Sequence, residues 1–102
     1  MIIKLIEVFE TKRHHHDGVK VAPSLTYSLR EIFINPEHIS CLREDTATAR
    51  KHEAGLLPED LDERQRFTKV HLNRGLSGID LTVVGDPNTI KEKLSAKTLL
   101  KG

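Results

Sequence analysis

The run from Ile2 to Phe9, IIKLIEVF, is dense in β-branched and aromatic residues. As an extended chain it puts Ile3, Leu5 and Phe9 on one side and Ile2, Ile6 and Val8 on the other. Apolar residues on both sides predict a strand with both faces covered, set well inside the fold. The next stretch, ETKRHHHDGVKVAPS, is polar and is broken by Asp17-Gly18 and Pro23. Asp-Gly favours a tight reversal, so a ribbon reaching out of the domain is expected, with a mobile loop near residues 10–24. From Leu25 to Ile34, Leu25, Tyr27, Leu29 and Phe33 alternate with Thr26, Ser28 and Arg30, the two-residue period of a second strand. Asn35-Pro36 ends it with a turn, because proline has no amide to donate and asparagine can bond its own backbone. Ile39, Cys41 and Arg43 against Ser40, Leu42 and Glu44 begin a third strand, which fails by Asp45.

Residues 46–64, TATARKHEAGLLPEDLDER, are the least sheet-like, with Gly55 and Pro58 inside and five carboxylates from Glu53 to Glu63. The segment predicts a mobile loop with one helical turn; a short helix around Pro58 to Arg66 and a misplaced strand are the alternatives. The clearest hairpin follows. Phe67, Val70 and Leu72 lead into a turn at Asn73-Arg74-Gly75-Leu76-Ser77-Gly78, and Ile79, Leu81, Val83 and Val84 lead out. The period then changes from two to that of a helix. Asp86 can accept from the free amides of a first helical turn, Pro87 suits the first helical position, and Ile90 and Leu94 share a face. This helix is expected from Pro87 to Ser95 or beyond. Strands followed by one short helix make a mainly β domain spanning residues 1–102. Its expected form is a small, strongly bent antiparallel sheet or barrel, with the helix closing an end or covering a face.

A length of 102 residues suits one domain with one modest core, which excludes a multidomain enzyme. No apolar run approaches the roughly 20 residues a membrane-spanning helix needs, and the start MIIKLIEVFE lacks signal-peptide architecture. A cytoplasmic protein with no membrane partner is expected. The single Cys41 cannot form an internal bridge and predicts a free, half-buried thiol.

Candidate chemistry is sparse. Cys41 falls in a strand and Ser77 in a turn without a nucleophile elbow, and there is no phosphate-cradling glycine loop, metalloprotease motif or zinc-finger spacing. No catalytic residue, no cofactor and no metal ligand is assigned, and the chain is expected not to be an enzyme. His14-His15-His16 would hold a metal only if a loop converged them with further ligands such as Asp17, because adjacent residues point apart on a strand. Metal binding by this loop is kept as one alternative, a solvated loop tip as the other. The six histidines would move the net charge from +1 towards +7 when all are protonated, 1 + 6, which favours pH-sensitive solubility or assembly over catalysis. Sixteen basic against fifteen acidic residues do not make a general polyanion binder, so any RNA contact is expected to be local.

Two resemblances bear on the architecture. Ile32-Phe33-Ile34-Asn35-Pro36-Glu37-His38-Ile39, then Thr68 to Gly75 and Thr82-Val83-Val84 ahead of a short helix, resembles the small flagellar FlbD-type proteins. Leu72-Asn73-Arg74-Gly75 followed by Ile79 and Leu81 is similar to the second signature of Sm-like small β-barrels, an apolar strand, Arg-Gly and another apolar strand. The turn here is longer than in that signature, and the expected helix follows the strands instead of preceding them. The Sm likeness implies a nucleic-acid contact at Asn73, Arg74 and Gly75 on one hairpin tip, joined by Asn35 if the two tips meet. A solvated Arg74 and a merely turn-forming Asn35 are the opposing reading.

The expected function is a self-associating Sm-like module with a structural or adaptor role, the alternative being an Sm-type RNA-binding ring. A homo-oligomer is expected because Ile79 to Val84 and Ile2 to Phe9 make weakly defended sheet edges, and because one helix covers only one side of a sheet.

Overall fold

The computed structural model describes residues 2–12, 25–74 and 77–99. Five antiparallel strands form one sheet: β1 Ile3–Lys12, β2 Leu25–Ile34, β3 Ile39–Glu44, β4 Phe67–Arg74 and β5 Ser77–Val84, in the order β2-β1-β5-β4-β3. Two helices accompany it, α1 Thr46–Glu53 and α2 Pro87–Leu99. The mainly β class follows the alternation, and the C-terminal helix follows the change of period after Val84. The β1/β2 ladder is continuous from Ile3↔Ile34 to Lys12↔Leu25, so Glu10 to Lys12, expected in a loop, are strand residues. The reversal expected at Asp17-Gly18 falls outside the described residues. In the β4/β5 ladder Asn73 pairs with Gly78 and Arg74 with Ser77, so the turn expected there is shorter and most of it is strand.

The sheet has to curl. Its edges, β2 and β3, are consecutive in sequence and are joined only by Asn35 and a 3₁₀ turn, Pro36–His38. Edge strands of a flat five-stranded sheet would lie about 19 Å apart at about 4.8 Å per gap. A linker of this length, partly coiled at about 2 Å per residue, falls well short of that. The edges do not pair with each other, so the sheet is bent without being closed into a barrel.

The inner face holds the larger core: Ile3, Leu5, Ile34, Val70, Leu72 and Val83 bury against Ile90 of α2, with Leu94 packed at the margin. Each such side chain contributes about 1.5–3 kcal/mol of transfer free energy. Asp86 opens α2 as expected, its carboxylate accepting from the Thr89 hydroxyl.

Two expectations are corrected. Segment 46–64 begins with α1, an eight-residue helix, and no helix forms over Pro58 to Arg66. The Asp45 carboxylate accepts from the Thr48 amide and hydroxyl, both at 2.9 Å, and so caps the start of α1. At its end Gly55, at φ +80°, lets its own amide reach the His52 carbonyl while the Leu56 amide reaches that of Lys51. The segment then covers the outer face: Leu57 is buried with Val8 and Phe67, and Ala49 and Leu61 pack on them. Part of the second face of the sheet, around Val8 and Phe67, is therefore covered by this same chain. The strands expected to be edges, β1 and β5, are instead neighbours inside the sheet, paired at Glu7↔Val83 and Val8↔Thr82. Their apolar residues on both sides reflect two covered faces. The true edges carry the charged pairs Arg30-Glu31 and Arg43-Glu44, which disfavour edge-to-edge pairing.

Candidate functional site

Asn35 ends β2, and its side-chain oxygen accepts from the Glu37 amide at 3.0 Å, capping the 3₁₀ turn. It shares a cavity with Leu72 of β4 and Ile79 of β5, so the curl brings the Asn35 turn and the β4–β5 hairpin to one end of the sheet. Asn73 follows Leu72 in β4; Leu72 is buried, whereas Asn73 is exposed. Arg74 is the last β4 residue, opposite Ser77, and Gly75 lies outside the described residues. Of the four residues the sequence nominated for RNA, Asn35 thus has its oxygen committed to a turn. The run His14–His16 lies outside the described residues, and among the described ones no group of three or more metal-ligating side chains converges.

That end of the sheet is apolar. A cavity of about 340 Å³ is lined by Ile32, Ile34, Leu72 and Leu81, rimmed by Ile2, Phe33 and Ile79, with Asn35 and His38 as its polar members. The rim residues stay exposed, at 54% for Ile2, 62% for Phe33 and 48% for Ile79. α2 packs against β3 and β4, and none of the described residues of α2 lines this cavity.

A second surface lies on the outer face of β3, β4 and β5, where register places side chains in rows. Cys41, His71 and Asp80 stand opposite one another across the three strands, and so do Arg43, Lys69 and Thr82. Thr82 donates its hydroxyl to Asp45 at 2.8 Å, which ties α1 to the sheet beside these rows. His71 Nδ1 donates to Asp80 Oδ1 at 2.6 Å. That bond, together with the charges of His71, Lys69 and Arg43, holds the Asp80 carboxyl below its ordinary pKa against a smaller opposing effect of burial. The imidazole lies over Gly78: a Cβ there would fall 2.9 Å from both Cε1 and Nε2. His71 is thus aimed at β5 and away from Cys41 on β3, and the two do not form a thiol–imidazole pair of the kind nucleophilic catalysis requires. Cys41 is half-buried and free, as expected.

The sequence reading did not single out His71, Asp80, Arg43 or Lys69. Their alternation was visible, but only register shows that 41, 71 and 80 share one row and 43, 69 and 82 the next. No family model, curated protein or solved structure matches this chain.

Proposed function

We propose that this chain is a non-catalytic module that associates with copies of itself through the open apolar end of its curled sheet, in a structural or adaptor role. One observation carries the reading: of the four exposed large apolar side chains among the described residues, Ile2, Phe33, Leu56 and Ile79, three rim a single cavity. Scattered exposed apolar residues are ordinary, whereas a contiguous patch around an apolar hollow is the signature of a contact surface. A second copy is the favoured occupant because the net charge is only +1, so two copies meet without long-range repulsion. The rim also carries its own polar border, the Lys4–Glu31 ion pair at 3.7 Å beside Phe33. Two-fold contact of the patch gives a dimer; contact with a different surface of the next copy gives a ring when the rotation closes. The alternative of an RNA-binding ring through Asn35, Asn73, Arg74 and Gly75 is weakened by the commitment of the Asn35 oxygen to the turn.

Sedimentation velocity at micromolar concentration tests this. The wild type is expected at a multiple of 11.6 kDa, and Phe33→Glu and Ile79→Lys at the monomer mass with unchanged circular dichroism. A sharp monomer for the wild type overturns the proposal.

A further inference from the structure

The outer face of β3–β5 has a feature the self-association reading does not use. Arg43 and Lys69 are directly opposite one another in the ladder, and neither forms an ion pair among the described residues. Like charges facing across a strand pair destabilise a sheet, and nothing in the packing requires them, since both side chains are exposed. Beside them His71 is fixed from two sides, by its bond to Asp80 and by the missing Cβ of Gly78. A surface histidine held in this way has already given up the side-chain entropy that binding would otherwise cost. The four side chains, with Cys41, line a concave space of about 310 Å³, large enough for a phosphate group with part of its ester. Its formal charge is +1 with His71 neutral, two cations less Asp80, and +2 with His71 protonated.

We propose that this space is a binding site for a phosphate group, held by Arg43 and Lys69, with the His71 ring fixed by Asp80 as its third wall. The Arg43 guanidinium and Lys69 ammonium donate to the phosphate oxygens, and the anion removes the repulsion between them. Asp80 keeps its oxygen on His71 Nδ1, and from its seat over Gly78 the ring bounds the space as a wall. This site is independent of the apolar end: the paired positions His71 and Asp80 lie on the opposite face from Leu72 and Ile79.

Inorganic phosphate is the first probe, followed by amide NMR shifts and by the melting temperature. Shifts are expected at Cys41, Arg43, Lys69, His71 and Asp80, with a rise in melting temperature that grows with phosphate concentration. Arg43→Gln and Lys69→Gln each weaken binding by about tenfold, the loss of one charge-assisted hydrogen bond. Gly78→Ala weakens it while leaving every charge in place, because the new methyl displaces the His71 ring. Lys4→Gln, on β1, changes nothing. A short oligouridylate is the second probe. Tight, salt-sensitive binding that is lost in the Arg43→Gln/Lys69→Gln double variant identifies an RNA phosphodiester as the source of the phosphate, whereas binding of inorganic phosphate without binding of the oligouridylate assigns the site to free phosphate or a small phosphate ester. No shift with either probe at millimolar concentration, or equal binding by the double variant, overturns the proposal.

Discussion

Asp45 is the residue that ties α1 to the sheet. It is buried, and its carboxylate accepts from the Thr48 amide, the Thr48 hydroxyl and the Thr82 hydroxyl at 2.9, 2.9 and 2.8 Å. Burial by itself would raise its pKa, but the bonds from Thr48 and Thr82 and the nearby Lys69 outweigh burial and set it below the ordinary value. A carboxyl with a lowered folded pKa stabilises the fold fully above its unfolded value, near 3.9, and loses that contribution as pH falls through the folded one. Urea unfolding is therefore expected to show stability falling from about pH 5 downwards, with a shallower slope for Asp45→Asn. Equal slopes for the two proteins would mean that another carboxyl governs the acid limb. Glu44, Asp80 and Asp86 shift in the same direction but are solvated, so their share is smaller.

At the scale of elements, α1 shows how a helix arises without an apolar stripe. Its residues, TATARKHE, offer no 3.6-residue hydrophobic period, and periodicity therefore predicts a loop. Caps define it instead: Asp45 at one end, and at the other the backward hydrogen bonds of the Gly55 and Leu56 amides. Arg50, Lys51 and His52 in the last turn also complement the helix dipole. Gly55 sits at φ +80°, and a Cβ there would meet no heavy atom within 4 Å, so Gly55→Ala isolates the backbone cost. A loss of about 1 kcal/mol is expected by thermal unfolding, with Gly55→Asn milder because asparagine tolerates this conformation. An unchanged melting curve for Gly55→Ala would mean that the cap adds nothing to α1.

At the scale of the molecule, two continuous hairpin ladders, β1/β2 and β4/β5, are joined by a short seam. β1 and β5 pair only at Glu7↔Val83 and Val8↔Thr82, whereas β4/β5 runs from Phe67↔Val84 to Arg74↔Ser77. Side chains reinforce the seam: Val83 is fully buried, and Arg30 bonds buried Glu7 at 2.7 Å while its guanidinium lies over Phe9. Opening should start where the fewest bonds must break at once. Native-state hydrogen exchange is expected to give the β1 and β5 amides that bond across the seam a lower opening free energy than those of Val70 and Leu72 in the middle of β4. Uniform protection across all five strands would contradict this.

What the amino-acid sequence determines here is local and periodic. The alternation in 25–34 and 67–84, the Asn35-Pro36 break and the Asp86-Pro87 start of α2 each act over a few residues, so strands, turn and C-terminal helix were all legible. The requirement that a run apolar on both sides be covered on both faces was legible too, in Ile2 to Phe9, but not what would cover it. That depends on strand order. Placing β1 beside β5 made both of them interior, left the charged β2 and β3 as edges, and folded 46–64 over the outer face. The two surfaces are equally products of tertiary structure. Ile2, Phe33 and Ile79 come from the residue before β1, from β2 and from β5, and Arg43, Lys69, His71 and Asp80 are set side by side by the register of β3, β4 and β5. Periodicity tells which side of a strand a residue occupies; which residues of other strands stand beside it is decided only when curl and register bring distant segments together.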